Sequence, residues 1–287
     1  MIVVTEPTDL VAATNGVIAF VPTMGALHRG HASLITHART LADTVVISVF
    51  VNPTQFGVGE DFDQYPSDLA ADSVIAAQAG ADVLFAPTAA TIYPVGFATS
   101  VDPGPLADDL CGRSRPGHFS AVATVVTRLF GLVRPQTAVV GRKDYQQFVV
   151  LQRVVTDLAL AVELVGVATV RDPDGLAISS RNRSLSAAQR AQALAIPATL
   201  HAIAMAYAAG ARDVEALTEA GRSLLRDLDV EYLAFRDAGQ LGPWNPAKTG
   251  VALIAARVGG TRLIDNIILE PAAPAFALQS LEPKELS

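Results

Sequence analysis

Two histidines three residues apart, His28 and His31, stand in the segment Pro22-Thr23-Met24-Gly25-Ala26-Leu27-His28-Arg29-Gly30-His31, directly after a short apolar run. At the first turn of a helix, free backbone N–H groups and the helix dipole favour a phosphate. Imidazole N–H groups placed there can donate to phosphate oxygens as negative charge builds on them. Gly25 and Gly30 allow close backbone approach or unusual dihedrals. A helix-surface pair or half of a metal site would also explain two histidines at this spacing. Their position immediately behind a buried strand favours the phosphate reading.

Three further segments carry polar groups suited to the same task. In Val51-Asn52-Pro53-Thr54-Gln55-Phe56-Gly57, Gln55 offers amide donors and a carbonyl acceptor, a set that fits hydroxyls and a carboxylate. Asn52 alone would read as a turn former and Phe56 as core. In Gly141-Arg142-Lys143-Asp144-Tyr145-Gln146-Gln147, Lys143 can serve as a cation for phosphate, and Asp144 as an acceptor for ribose or as a helix cap. Only three of the 21 basic residues are lysines, so a lysine here is an informative choice. The third segment runs from Arg171 to Asn182, where Ser179, Ser180 and Arg181 make a candidate phosphate loop; serines before a helix are common, so this signal is weak by itself.

The elements that must position these groups can be read from the apolar pattern. Continuous apolar runs at 17–21, 44–51, 82–85, 138–140 and 162–167 predict strands buried on both faces. They alternate with helical patterns at 32–41, 68–79, 121–132 and 145–158. This alternation predicts a parallel sheet with helices on both faces, and such sheets bind ligands beyond the carboxyl ends of their strands. All the segments above fall at those ends. After Arg183 the texture changes to helices at 187–209 and 213–227, with Asp213 as a candidate N-cap, then strands at 231–235, 251–255 and 262–268. The expected architecture is α/β: a Rossmann-like parallel sheet over residues 1–180 and a smaller α+β domain over 181–287. A turn is expected at 241–246, and a frayed tail at 282–287.

The 287 residues are 51% hydrophobic and 17% charged, which supplies a core and excludes disorder. A net charge of −7 argues against general binding to nucleic acid or to anionic membranes. Cys111, the single cysteine, excludes an internal disulfide and a multi-cysteine zinc site. Charged residues or histidine interrupt the apolar stretches, so no membrane span is expected, and the first residues lack the pattern of a secretory signal. A soluble cytoplasmic protein is the expectation.

The spacing of His28, Gly30 and His31 is similar to that which opens the nucleotide site of adenylate-forming nucleotidyltransferases. With Val51–Phe56, Arg115–Phe119, Gly141–Gln147 and Asp174–Asn182 in order, the chain closely resembles the pantothenate synthetase (pantoate–β-alanine ligase) family over nearly its whole length. That resemblance implies two steps: pantoate attacks the α-phosphorus of ATP to give a pantoyl adenylate and pyrophosphate, then the amine of β-alanine attacks the mixed anhydride and releases AMP. It implies catalysis by His28, His31 (as proton donor) and Lys143. Nucleotide contacts are implied for Met24, Gly25, Ala26, Leu27 and Gly30, for Gly141, Arg142, Asp144 and Val170, and for Ile178, Ser179, Ser180 and Arg181. Gln55 and Gln147 would hold pantoate, with Pro22, Met24 and Phe56 around its dimethyl group. Mg²⁺ would bridge phosphate oxygens with Asp72 as a ligand, the smaller domain would cover the site, and the protein would be a homodimer.

The chain departs from the family pattern in its short first helix, confined to Glu6–Asn15, and in Arg142 and Arg29, where acidic residues are common; Arg29 is expected at the solvent. His118 either lines the site or caps the following helix, and Arg115 is equally open. His37 and His201 have no partner motif and read as structural. Among rival readings, transfer of AMP to a phosphate ester would need cations where Gln55 and Gln147 are neutral. A tRNA synthetase is disfavoured by length and acidity, and a nucleotide-binding regulator would have little need of His28, His31, Lys143 and Arg181 together.

Overall fold

A computed structural model describes residues 1–57, 62 and 65–271. The frayed tail expected at 282–287 lies outside the described residues. In chain order the elements of the first part are β1 (Ile2–Val4), α1 (Pro7–Ala13), β2 (Ile18–Thr23), α2 (Arg29–Arg39), β3 (Thr44–Val49), α3 (Leu69–Ala79), β4 (Val83–Phe85), α4 (Ala89–Ile92), α5 (Cys111–Ser114), α6 (His118–Val133), β5 (Thr137–Gly141), α7 (Tyr145–Asp157) and β6 (Glu163–Val167). They continue with α8 (Ala187–Ala193), α9 (Ala195–Ala208), α10 (Val214–Arg222), β7 (Asp229–Asp237), β8 (Gly250–Val258) and β9 (Thr261–Leu269).

Six strands form a parallel sheet in the order β1-β4-β3-β2-β5-β6. Successive side chains of a strand point to opposite faces, and both faces here are apolar. Ala19, Val21, Val45 and Ile47 pack on one face with Leu34, Ile35 and Ala38 of α2 and Ala76 of α3. Phe20 and Val46 pack on the other with Leu10 of α1 and the buried rows of α6 and α7. From β2 the chain steps outward through β3 to β4, then returns to place β5 on the other side of β2. Strand order therefore reverses between β2 and β5, the place where such sheets open a crevice at their carboxyl ends. The α/β reading holds, and the three-residue edge strand β1, paired with β4, was too short to show as a pattern.

The second sheet is an antiparallel meander, β7-β8-β9, covered by α8–α10. The helix expected over 187–209 is broken at Leu194 into α8 and α9. Pro197 has no N–H to donate to the Ala193 carbonyl, so the ladder fails there. By length and composition alone this 22-residue stretch is apolar enough to cross a membrane, contrary to the expectation from sequence. In the fold its Ile196, Leu200, Ile203 and Tyr207 instead fill the second core. Asp213 does cap α10, accepting from the Ala216 N–H at 3.0 Å, but the helix ends at Arg222 and gives way to one 3₁₀ turn.

Candidate active site

The turn after β2 is built by local constraint. Thr23 Oγ1 accepts the Gly25 N–H at 3.1 Å, and Gly25 takes φ +87°. A Cβ at Gly25 would lie 2.8 Å from Asp72 Oδ2 and 2.9 Å from Val49 Cγ1, so both conformation and space require glycine. Asp72, on the first turn of α3 and 2% exposed, accepts the Ala26 N–H at 3.0 Å with one carboxylate oxygen and the Leu27 N–H at 2.7 Å with the other. The N–H groups of Ala26 and Leu27 are thus engaged by Asp72, which braces the turn through both of its carboxylate oxygens. Gly25, buried with them, shapes the turn from behind.

The braced turn delivers His28 to the N-cap of α2 and His31 to its first turn. Their rings stack, with centroids 4.0 Å apart and planes at 11°. Gly30 makes room for this, since a Cβ there would come within 3.0 Å of the His28 ring. Each Nδ1 is buried with no hydrogen-bond partner among the described residues. Burial pushes the His28 pKa down to about 4, helped by the positive charges of Lys143 and Arg183. Burial, then the neighbouring His28, pushes His31 down to about 3. Both imidazoles are therefore neutral at pH 7, each with one N–H to donate. Arg29 is exposed as expected, yet it pairs with Asp172.

Across the crevice, β5 ends at Gly141 and a 3₁₀ turn carries Lys143 and Asp144. The Lys143 ammonium is 3.7 Å from the Asp144 carboxylate. Arg142 does not join them: its guanidinium stacks over the Phe148 ring at 5.7 Å, against Gly166 of β6. Arg142 thus faces β6 while Lys143 and Asp144 face the crevice. Arg171 and Ala177 pair as a narrow hairpin that leads into Ile178, Ser179, Ser180 and Arg181. Ser179 Oγ accepts the Arg181 N–H at 3.3 Å.

Gln55, 9% exposed, ends the 3₁₀ turn after β3. Its Oε1 accepts from Asn52 at 3.1 Å, and Asn52 is in turn held by Thr54 and by the Tyr93 hydroxyl at 2.8 Å. Asn52 is thus more than a turn former, since it orients Gln55. His118 Nδ1 donates to the Gln55 carbonyl at 2.9 Å, and its Nε2 meets the Arg115 guanidinium at 3.0 Å. This pattern suits the neutral ring with the proton on Nδ1. The alternatives left open for His118 and Arg115 resolve toward the site: both line it, and the N-cap of α6 is Gly117, with no side-chain cap.

These groups enclose a cleft with two lobes. The smaller, about 240 Å³, lies at the β2/β5 crevice and brings together Pro22, Met24, His28, Gly30, His31, Gln55, Phe56, Gly141, Lys143, Asp144, Gln147, Val170, Ile178, Ser179, Ser180 and Arg181. The larger, about 850 Å³, opens toward β9 and shares Gln55, Phe56, Lys143, Asp144, Gln147 and Arg181. The apolar floor of the smaller lobe comes from Val122, Val125, Val126 and Leu129 of α6. Sequence reasoning missed these, since on a helix they cannot be told from core. His37 and His201 are exposed and line neither lobe, and Cys111 is buried with its thiol 3.0 Å from the Tyr232 hydroxyl.

Comparison with known proteins bears on what this cleft acts upon. The pantoate-beta-alanine ligase family pattern matches residues 4–268. A pantothenate synthetase of Pelobacter propionicus is 49% identical over 88% of this chain and 90% of its own, and one of Mycolicibacterium smegmatis is 48% identical over 95% and 89%. The crystal structure of pantothenate synthetase from Thermus thermophilus superposes with a TM-score of 0.90 at 46% identity, covering 94% of this chain and all of that one. A pantoate-beta-alanine ligase from Francisella tularensis, solved with beta-gamma ATP and beta-alanine, gives 0.78 at 34%, covering 95% of this chain and 99% of its own. With a fold, a strand-end cleft and a sequence that agree along almost its entire length, this chain belongs to the pantoate-beta-alanine ligase family.

Proposed function

We propose that the protein condenses pantoate with β-alanine in two steps through an enzyme-bound pantoyl adenylate, releasing pyrophosphate and then AMP. A carboxylate does not condense directly with an amine at neutral pH, because oxide would have to leave; transfer to the α-phosphorus of ATP creates a leaving group. That first step brings two anions together, so the site must supply positive charge, hydrogen-bond donors and alignment. The observation that carries the reading is the stacked, neutral imidazole pair at the N-terminus of α2, near enough to Lys143 for its charge to be felt.

In this reading His28 and His31 donate N–H hydrogen bonds to the transferring phosphoryl group, and Lys143 neutralises its charge. His31 is neutral in the ligand-free protein. Its work as a hydrogen-bond donor needs no proton uptake, whereas proton donation would first require the triphosphate to raise its proton affinity. Ser179, Ser180 and Arg181 close over the outer phosphates, with Met24, Gly141, Asp144 and Val170 around the nucleoside. Gln55 and Gln147 hold pantoate; neutral amides orient a carboxylate without forming the tight ion pair that would quench its attack. Pro22, Met24 and Phe56 shape the space for its methyl groups.

The residues present do not build a protein cage for Mg²⁺. No three His, Cys, Asp or Glu side chains converge among the described residues, and both Asp72 oxygens are engaged. A Mg²⁺ ion would instead be carried by the nucleotide's phosphates, whose charge it would neutralise. We further propose that residues 181–287 cover the site, that the enzyme works in the cytoplasm, the compartment that holds its ATP, and that it is a homodimer, as the family resemblance implies. Incubation with ATP, pantoate and β-alanine should yield pantothenate and AMP in equal amounts. Formation of ADP, or turnover without pantoate, would contradict the reading.

A further inference from the structure

Two adjacent residues of β9 grip the two loops that carry the phosphate-facing side chains. The side-chain amide of Asn266 donates to the carbonyl of Arg142 and to that of Lys143, each at 2.9 Å. Asp265, 3% exposed, takes the Arg171 guanidinium in both carboxylate oxygens, at 2.6 and 3.0 Å. Arg171 in turn donates to the Gly175 carbonyl at 3.1 Å, fixing the hairpin that leads to Ser179, Ser180 and Arg181. Asp265 also accepts the Asn266 N–H at 2.8 Å, so the two grips are one unit. Asn266 is itself 7% exposed, and one planar amide holding consecutive carbonyls leaves the 3₁₀ turn little rotational freedom.

We propose that Asn266 is a positioning residue for adenylate formation: by holding the carbonyls of the two peptide bonds that flank Lys143, it sets where the Lys143 ammonium stands. The second sheet is then part of the machinery of the first step and more than a cover. This rests on the reading of Lys143 as a cation for the transferred phosphoryl group. Among the described residues the hydrogen bonds of the Asn266 side chain go to the lysine turn and none goes to Gln55 or Gln147, so its influence runs through that turn. Misplacement of a reacting group by about 1 Å can cost on the order of a hundredfold in rate.

The test is pantoate-dependent ATP–pyrophosphate exchange in four proteins: wild type, Asn266→Leu, Lys143→Ala and the double variant. Asn266→Leu keeps the side-chain size and removes the donor. The expected result is a ten- to hundredfold fall in kcat, by the misplacement argument above, a pantoate KM within about twofold, and no further fall when Asn266→Leu is added to Lys143→Ala. Non-additivity of this kind is the mark of residues that act as one unit. Independent, multiplying losses, or an unchanged kcat in Asn266→Leu, would overturn the proposal. Asn266→Ser keeps a donor and serves in the same cycle if the leucine variant does not fold; it should recover part of the rate. Failure of the wild type to exchange at all would instead refute the proposed reaction, which keeps the two claims apart.

Discussion

Replacing Asp72 separates a structural brace from a metal ligand. In Asp72→Ala two buried N–H groups, those of Ala26 and Leu27, lose their acceptors. An unsatisfied buried group costs about 1–3 kcal/mol, so the pair costs about 2–6 kcal/mol. Asp72→Asn keeps one acceptor oxygen and turns an NH₂ toward the other N–H, for a loss of about 1–3 kcal/mol. At about 2–4 °C per kcal/mol for chains approaching this size, the asparagine variant should melt several degrees lower and the alanine variant lower still. The assay is thermal unfolding with a chelator present, without nucleotide. Because the brace shapes the turn that delivers His28 and His31, pantoate-dependent pyrophosphate exchange should fall in the same order. Unchanged melting in chelator, with a raised Mg²⁺ requirement in the exchange assay, would refute the brace and restore the metal role implied by the family resemblance.

Other perturbations address the groups in the cleft. The lowered pKa values of His28 and His31 mean that the unfolded chain binds more protons than the folded one between pH 6.5 and about 3 to 4, so stability is full above that window and falls as pH drops through it. His31 should add up to about 1.4 kcal/mol per pH unit to that slope, and His31→Asn should flatten the stability–pH curve measured by urea unfolding; an identical curve would count against a buried neutral ring. Lys143→Ala and His31→Ala should each lower adenylate formation by about 10²–10³ while the circular dichroism spectrum is kept. Gln55→Ala should raise the pantoate KM well beyond any change in the ATP KM, and equal shifts in both would remove Gln55 from the pantoate side.

Much of this arrangement could be read from the chain because strong local signals coincided. The run Val17–Val21 and the pair His28 and His31 fix a strand, a turn and a helix start within a single short segment, and Lys143 follows the apolar run at 138–140 in the same way. Long-range choices were not readable. Asp72 is an ordinary first-turn acid on α3 until the fold sets it behind Ala26 and Leu27. Arg142 sits beside Lys143 in sequence, yet the 3₁₀ turn sends it to Phe148. Asn266 lies 123 residues from Lys143, and nothing in its local pattern marks it. The break at Leu194 was legible in principle: Pro197 announces it, but the apolar period of the surrounding alanines masked the signal.

The central claim is that the stacked imidazoles and Lys143 let a carboxylate displace pyrophosphate at the α-phosphorus. Its most direct test is a single turnover with pantoate labelled with oxygen-18 in its carboxylate, followed by mass spectrometry of the products. The account predicts that one labelled oxygen passes to AMP. Label found in pyrophosphate or inorganic phosphate, or retained in full by the pantothenate, would contradict it.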